Sequence, residues 1–148
     1  ILSHRADVLS TIAISLHQAN ERVAMAIGAS PMTVFEPLPA GWLLAPSLPQ
    51  VALLGECDLV IHHGGNNSVQ EALGLGVRQI ILPFSTDQFA NAADLERTGQ
   101  ATVVSPNHIC PTSFAQVVKV TLTLPEPKPI MAQSWAALAG ILRTPIEA

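Results

Sequence analysis

Residues 57–71, CDLVIHHGGNNSVQE, decide the fold of this chain. The apolar run at 59–61 predicts a buried strand, which ends abruptly in two histidines and two glycines. Asn67 and Ser68 then open a predicted helix. The first backbone N–H groups of a helix are unpaired and carry partial positive charge, so a strand that delivers small polar residues to a helix start is suited to bind phosphate. The stretch therefore predicts a diphosphate-binding cradle at the end of a parallel strand.

Helices and strands alternate along the rest of the chain. Apolar residues at three- and four-residue steps predict helices, and short apolar runs bounded by glycine or proline predict strands. The predicted helices are 6–18, 51–54, 67–75, 88–98, 113–122 and 130–142, the predicted strands are 22–27, 41–45, 58–61, 78–82 and 101–104, and 29–40 is predicted to be a loop. This order predicts a Rossmann-like α/β fold, a parallel sheet with helices on both faces.

Several polar residues follow predicted strands, at the edge of the sheet where parallel strands end. Ligands of open parallel sheets bind beyond the carboxyl ends of the strands. Gln50, His63 and Asp87 each follow a predicted strand, so we expect them to converge on one crevice. Gly74 and Gly76 are predicted to end the helix that begins at Asn67.

The composition fits a single domain over residues 1–148. The chain is 49% hydrophobic and 12% charged, which predicts a well-covered core. A net charge of −4 with only seven lysines and arginines leaves no basic stripe, which argues against a nucleic-acid partner. No uncharged apolar stretch reaches the roughly 20 residues of a membrane span, and the start has no signal-peptide pattern.

The cysteines and the start of the chain give three further expectations. Cys57 and Cys110 are too few and too far apart for a disulfide framework or a cysteine zinc site, so we expect two buried thiols in a cytoplasmic protein. No acidic residues near the two histidines complete a zinc or magnesium site, so no metal is predicted. The chain starts without Met, and we expect it to be a fragment.

The residues around the predicted helix start have both a structural and a ligand-binding interpretation. Ser68 and Glu71 match a capping box, and the alternative is that Glu71 contacts a ligand. His63 precedes two glycines that let a ligand approach the backbone, so its ring N–H is placed to donate to a diphosphate oxygen. An imidazole bonded within the loop is the alternative for His63 and the preferred interpretation for His62, because adjacent strand residues point to opposite faces.

Asp87 and Gln88 also allow two interpretations. An acidic residue in the first turn of a helix complements the helix dipole. A carboxylate beside an amide is also suited to hold vicinal sugar hydroxyls. Gln50 carries no signal by itself. Ser68 lies outside a G-x-S-x-G elbow, and the chain has no Walker motif or dinucleotide fingerprint.

Taken in order, these residues resemble the donor-binding signature of GT-B glycosyltransferases, in the group that glycosylates small molecules with nucleotide sugars. The matching positions, all within residues 46–101, are Pro49-Gln50, His63-x-Gly65-x-Asn67-Ser68-x-x-Glu71, Gly76, Pro83 and Asp87-Gln88. The resemblance implies the C-terminal half of a GT-B fold. It implies a parent enzyme that moves a sugar from a UDP- or TDP-sugar to an acceptor hydroxyl, with inversion and without a metal or other cofactor.

The resemblance also implies a role for each matching residue. Gln50 would lie against the base, Glu71 would bond the ribose hydroxyls, and Asp87 with Gln88 would hold the sugar. The diphosphate would be held by His63, Gly65, Asn67 and Ser68. The family places its histidine base in an N-terminal acceptor-binding domain, which we expect this chain to lack, so no catalytic residue is assigned and the isolated chain is expected to be inactive.

Departures from the signature leave other functions open. Ser47 and Leu48 stand where many relatives have an aromatic residue that stacks on the base, Arg78 stands where a proline is common, and Asn66 stands where plant relatives have tryptophan. The alternatives are half of a sugar-nucleotide epimerase or of a lipid-linked-precursor transferase, or a non-catalytic nucleotide-sugar-binding module. The sequence does not specify the acceptor, the sugar, the choice between UDP and TDP or the oligomeric state.

Overall fold

Parallel strands alternate with helices through residues 2–129, the part of the chain that the computed structural model describes. The helices are α1 (Ala6–Gln18), α2 (Gln50–Leu54), α3 (Asn66–Leu75), α4 (Thr86–Arg97) and α5 (Pro111–Thr123). The strands are β1 (Ala24–Ala26), β2 (Leu43–Ala45), β3 (Leu59–His62), β4 (Arg78–Ile81) and β5 (Thr102–Val103). The predicted α/β order is confirmed. The predicted helix 130–142 lies outside the described residues.

The strands form two parallel sheets where the sequence predicted one. β1 pairs with β2, and β3, β4 and β5 pair in that order. In the larger sheet Leu59 lies opposite Arg78 and Ile80 lies opposite Thr102. The alternation of helices and strands predicts parallel pairing, but which strands share a ladder depends on contacts between distant residues, so the division was missed.

Helices cover both faces of the larger sheet, as predicted. Ile80 and Leu82 face a core formed with α1 and α5, where Ile12 and Phe114 are almost fully buried. Ile81 faces the other way and packs with residues of α3 and α4 in a second cluster, formed by Val69, Ala92 and Leu95. Because successive strand residues alternate in direction, the run 80–82 contributes to both cores.

Two predicted details of the loops and helix ends are wrong. Gly76 ends α3 with a left-handed φ of 68°, but Gly74 lies inside the helix. The predicted loop 29–40 contains a 3-10 helix, Met32–Phe35, whose Phe35 is buried. Three prolines predict a loop but do not exclude a single short turn anchored by one aromatic side chain.

The prediction of buried thiols is also wrong. Cys57 and Cys110 are both free and exposed. Cys57 lies in the turn before β3, and Cys110 is the residue before α5. Unpaired cysteines are often buried, but both of these lie in connections, which run over the surface. None of the helices described in residues 2–129 combines the length and the apolar composition that a membrane span needs.

Candidate functional site

Three side chains predicted to bind different parts of one ligand contact each other. Gln50 begins α2, and its Nε2 donates to Ser68 Oγ at 3.1 Å and to Glu71 Oε2 at 2.6 Å. Gln50 is exposed and the other two residues are half-buried, but both hydrogen bonds lie at the surface, so we call Gln50, Ser68 and Glu71 the exposed cluster. Two neutral groups and one carboxylate therefore meet where α2 approaches α3, with donors and acceptors that solvent or a ligand can reach.

The capping box predicted for Ser68 and Glu71 is wrong. Helix α3 begins at Asn66 and has Gly65 as its N-cap, with no side-chain capping hydrogen bond. Ser68 is therefore the third residue of the helix, too far along to cap it, and Glu71 bonds Gln50 instead of the backbone. The uncapped start leaves the first-turn N–H groups without a side-chain acceptor. This is the condition that favours an anion at a helix start.

The loop between β3 and α3 packs closely against neighbouring residues at both of its glycines. Gly64 has a φ of 91°, and a Cβ there would lie 2.9 Å from Ile81 Cγ2. A Cβ on Gly65 would lie 2.7 Å from His63 Nε2, so the imidazole lies directly against Gly65. Side chains at either position would displace the loop or the histidine.

His63 is half-buried beside this loop. Burial lowers the pKa of its imidazole, whereas the negative charge of Asp87 opposes that shift. A lowered pKa keeps the ring neutral at pH 7, when one ring nitrogen is a donor and the other an acceptor. His63 and Asp87 each contribute to the other's pKa shift, and their convergence on one crevice stays a prediction.

His62 has a structural role, as predicted. The Gly64 N–H donates to His62 Nδ1 at 3.0 Å, and His62 Nε2 lies 2.7 Å from Gln79 Oε1. A backbone N–H only donates, so Nδ1 is the acceptor and Nε2 carries the proton that Gln79 Oε1 accepts. Burial lowers the pKa of His62 to about 4, which keeps this tautomer neutral.

Gln79 completes this pair at a cost. The residue is 1% exposed, and its Nε2 is a buried donor without a hydrogen-bond partner. Leaving such a donor unpaired costs about 1–3 kcal/mol. The tautomer of His62 fixes the orientation of the amide, because the protonated Nε2 needs the oxygen of Gln79 and thus turns the NH₂ group away.

Asp87 and Gln88 differ sharply in exposure. Asp87 lies in the first turn of α4, accepts a hydrogen bond from Ser85 Oγ at 2.8 Å and is exposed. That hydrogen bond lowers the pKa of Asp87, so its carboxylate is charged at neutral pH. Gln88 is 2% exposed, and its Oε1 accepts the Phe84 N–H at 2.9 Å. The Gln88 acceptor is thus used within the protein, and its sugar contact remains a prediction.

Asn91 is the residue of this region that the sequence did not single out. Its Nδ2 donates to the Gly64 carbonyl at 2.9 Å and to Asn66 Oδ1 at 2.7 Å. It lies one helical turn after Asp87, on the same side of α4. That four-residue spacing was the available signal. Asn67, by contrast, is exposed in the first turn of α3, where the sequence placed it.

Within residues 2–129, no group of three or more His, Cys, Asp or Glu side chains is placed to hold a metal ion. The polar groups near the loop are instead hydrogen-bond donors and acceptors at a helix start. Such a set suits a ligand that carries an anionic group and several hydroxyls.

Comparison with known proteins identifies the family. Residues 11–136 match the family model described as "Erythromycin biosynthesis protein CIII-like, C-terminal domain". The chain belongs to this family, the C-terminal domain of GT-B glycosyltransferases.

Individual relatives agree with this assignment. The chain is 32% identical over 96 residues to the L-demethylnoviosyl transferase of Streptomyces niveus, a match that covers 65% of this chain and 25% of that protein. It is 28% identical over 123 residues to the uncharacterized UDP-glucosyltransferase YdhE of Bacillus subtilis, covering 82% and 31% respectively. The chain thus spans about a third or less of these curated relatives.

Solved structures share the fold. The glycotransferase of kitacinnamycin superposes with a TM-score of 0.74 at 24% identity, covering 96% of this chain and 36% of that one. Glycosyltransferase VinC, whose structure contains DTDP, superposes with a TM-score of 0.72 at 23% identity, covering 79% and 30%. The predicted α/β fold of a GT-B C-terminal half is confirmed.

Proposed function

We propose that this chain binds the nucleotide sugar of a glycosyltransferase that moves a sugar from a UDP- or TDP-sugar to an acceptor hydroxyl. The carrying observation is the loop from His63 to Gly65, which brings a neutral imidazole against the uncapped start of α3. The family assignment and the nucleotide in the VinC structure support this choice of ligand.

The diphosphate would be bound without a cationic side chain. The first-turn N–H groups of α3 donate along the helix axis, where the dipole favours an anion. The neutral His63 ring adds one N–H. Ser68 accepts from Gln50, which leaves its O–H available to donate to the same phosphate.

The nucleoside and the sugar would lie on either side of the diphosphate. Glu71 would accept hydrogen bonds from ribose hydroxyls, and its present partner Gln50 would then turn to the base. The charged Asp87 would accept from sugar hydroxyls on the opposite side of His63. Gln88 would contribute its amide Nε2, because its oxygen is bonded to the Phe84 N–H.

Charge that builds on the leaving nucleoside diphosphate would be stabilised by donors already aimed at it. Preorganised donors of this kind stabilise a transition state without having to reorient during the reaction. In this proposal the reaction inverts the sugar configuration and needs no metal. The base that activates the acceptor hydroxyl comes from the N-terminal half of the parent enzyme, so the isolated chain binds donor but turns over little.

Calorimetric titration of the chain with UDP and TDP tests this function. We expect binding, and we expect His63→Ala to weaken it by about 1–3 kcal/mol, the range for hydrogen bonds to charged groups. His17→Ala is the matched control, because His17 contacts Trp42 just before β2, at the opposite end of that strand from Gln50. Equal affinity of the His63 variant and the unmodified chain would remove His63 from the diphosphate. Absence of binding to either nucleotide would refute the function.

A further inference from the structure

The backbone of Gly64 is held from two sides by buried or half-buried side chains. Its N–H donates to His62 Nδ1 at 3.0 Å, and its carbonyl accepts from Asn91 Nδ2 at 2.9 Å. A carbonyl only accepts, so the Asn91 amide must present its NH₂ group to Gly64. These two contacts restrict the rotation of the peptide groups at Gly64, where β3 continues into the loop before α3.

The two contacts come from different parts of the fold. His62 is the last residue of β3 and is fixed by Gln79 of the neighbouring strand β4. Asn91 belongs to α4, the helix whose first turn carries Asp87, and it also bonds Asn66 at the start of α3. The loop is therefore tied both to the sheet and to the helix that carries the predicted sugar-binding residue. We call His62, Gln79 and Asn91 the loop anchor.

The cost of the loop anchor indicates that stability alone does not explain it. The side chains around it on this face of the sheet, Val69, Ile81, Ala92 and Leu95, are apolar. Replacing a buried polar pair with apolar groups of similar shape is often neutral or stabilising, and here it would also remove the unpaired Nε2 of Gln79. An apolar pair, however, could not accept a hydrogen bond from the Gly64 N–H. The loop needs that acceptor from within the protein, because its other side must stay open to a ligand.

We propose that His62 and Asn91 are positioning residues for donor binding, which fix Gly64 so that His63 and the start of α3 keep the geometry that the diphosphate needs. This inference rests on the proposed function. Neither residue is assigned a contact with the ligand. Both act through the backbone of the loop, and Gln79 holds His62 in the tautomer that accepts.

The test compares three variants with the unmodified chain. His62→Leu removes the acceptor for the Gly64 N–H. His62→Asn retains one, because the Asn oxygen lies at about the same distance along the side chain as Nδ1. Asn91→Ala removes the bond to the Gly64 carbonyl from a half-buried surface position, and so tests the inference even where His62→Leu does not fold.

Two quantities are measured at a temperature where each folded variant is fully native: the hydrogen-exchange rate of the Gly64 amide, and the affinity for TDP and UDP. We expect His62→Leu to speed exchange at Gly64 and to weaken nucleotide binding about tenfold, the effect of one lost hydrogen bond on a preformed site. His62→Asn should recover most of the affinity, and Asn91→Ala should weaken binding by a similar factor.

The outcomes separate this inference from the function on which it rests. If the unmodified chain binds nucleotide and His62→Leu and Asn91→Ala bind it equally well, the positioning role is overturned and the proposed function stays intact. Altered melting temperatures with unchanged affinities show a purely structural role and overturn it as well. Unmodified chain that binds neither nucleotide overturns both. Weaker binding that His62→Asn restores supports the inference.

Discussion

The loop anchor and the exposed cluster use the same kinds of side chain in opposite ways. In the loop anchor, His62 and Gln79 are buried and make contacts that a ligand cannot reach. In the exposed cluster, Gln50 bonds Ser68 and Glu71 at the surface, where those bonds can be exchanged for bonds to a ligand. The buried side chains of the loop anchor therefore shape the site, while those of the exposed cluster are available to bind.

Gly64→Ala is expected to reduce the free energy of unfolding more than the other substitutions, because it changes the residue whose backbone the loop anchor holds. A side chain at a φ of 91°, with its Cβ 2.9 Å from Ile81, combines backbone strain with overpacking. We expect a loss of about 2–4 kcal/mol in the free energy of unfolding, measured by denaturant titration.

Two glycine controls separate these causes. Gly41→Ala has a φ of 83° and open space, so it measures strain alone, and Gly55→Ala has neither problem. A Gly64→Ala variant as stable as Gly55→Ala would contradict the close packing of the loop.

The buried His62 predicts a pH dependence of the free energy of unfolding. The pKa of His62 is lowered from 6.5 to about 4 in the folded state, so the unfolded chain binds more protons between those values. Stability is therefore fully present above pH 6.5 and falls as pH drops towards 4, by roughly 3 kcal/mol in total.

Unfolding titrations of the unmodified chain and of His62→Asn between pH 4 and 7 check this prediction. In His62→Asn, the free energy of unfolding should depend much less on pH. Some dependence in the same direction should remain, because the pKa values of His63 and Asp87 are also lowered in the folded state. Identical slopes would show that His62 does not stay neutral in the folded protein.

Substitutions in the exposed cluster are expected to have little effect on the free energy of unfolding and a measurable effect on nucleotide binding. Gln50→Ala and Glu71→Ala should change the free energy of unfolding by less than about 0.5 kcal/mol, because neither side chain is part of the buried core. Each should weaken UDP or TDP binding by about 1 kcal/mol. Gln70→Ala, exposed on the same helix, is the control. Unchanged affinities in both variants would remove the exposed cluster from the site.

The sequence predicted the elements better than their contacts. Helix α1 and the order of the other elements follow from local apolar spacing, so their bounds were close to those observed. The start of α3 was predicted one residue late, because Asn66 and Asn67 are equally plausible openings and only the position of Gly65 decides between them. Exposure of Cys57 and Cys110 was missed because composition carries no information on position.

For the candidate site, the sequence names residues that follow strands, and their ligand contacts stay predictions, but it does not name the residues that hold the loop. His63 and Asp87 are expected to converge because parallel strands end at one edge, a property that the order of elements already contains. Gln79 as the partner of His62 depends on the register of β3 against β4, which no local pattern encodes. Asn91 was missed because its four-residue spacing from Asp87 indicates a role only once its neighbour across the loop, Gly64, is known.

Backbone amide resonances followed during titration with TDP show whether the start of α3 and His63 bind a nucleoside diphosphate. We expect saturable shifts at Gly65, Asn66, Asn67 and Ser68, with α1 unaffected. Saturable shifts confined to other regions, or none at all in the folded chain, would contradict it.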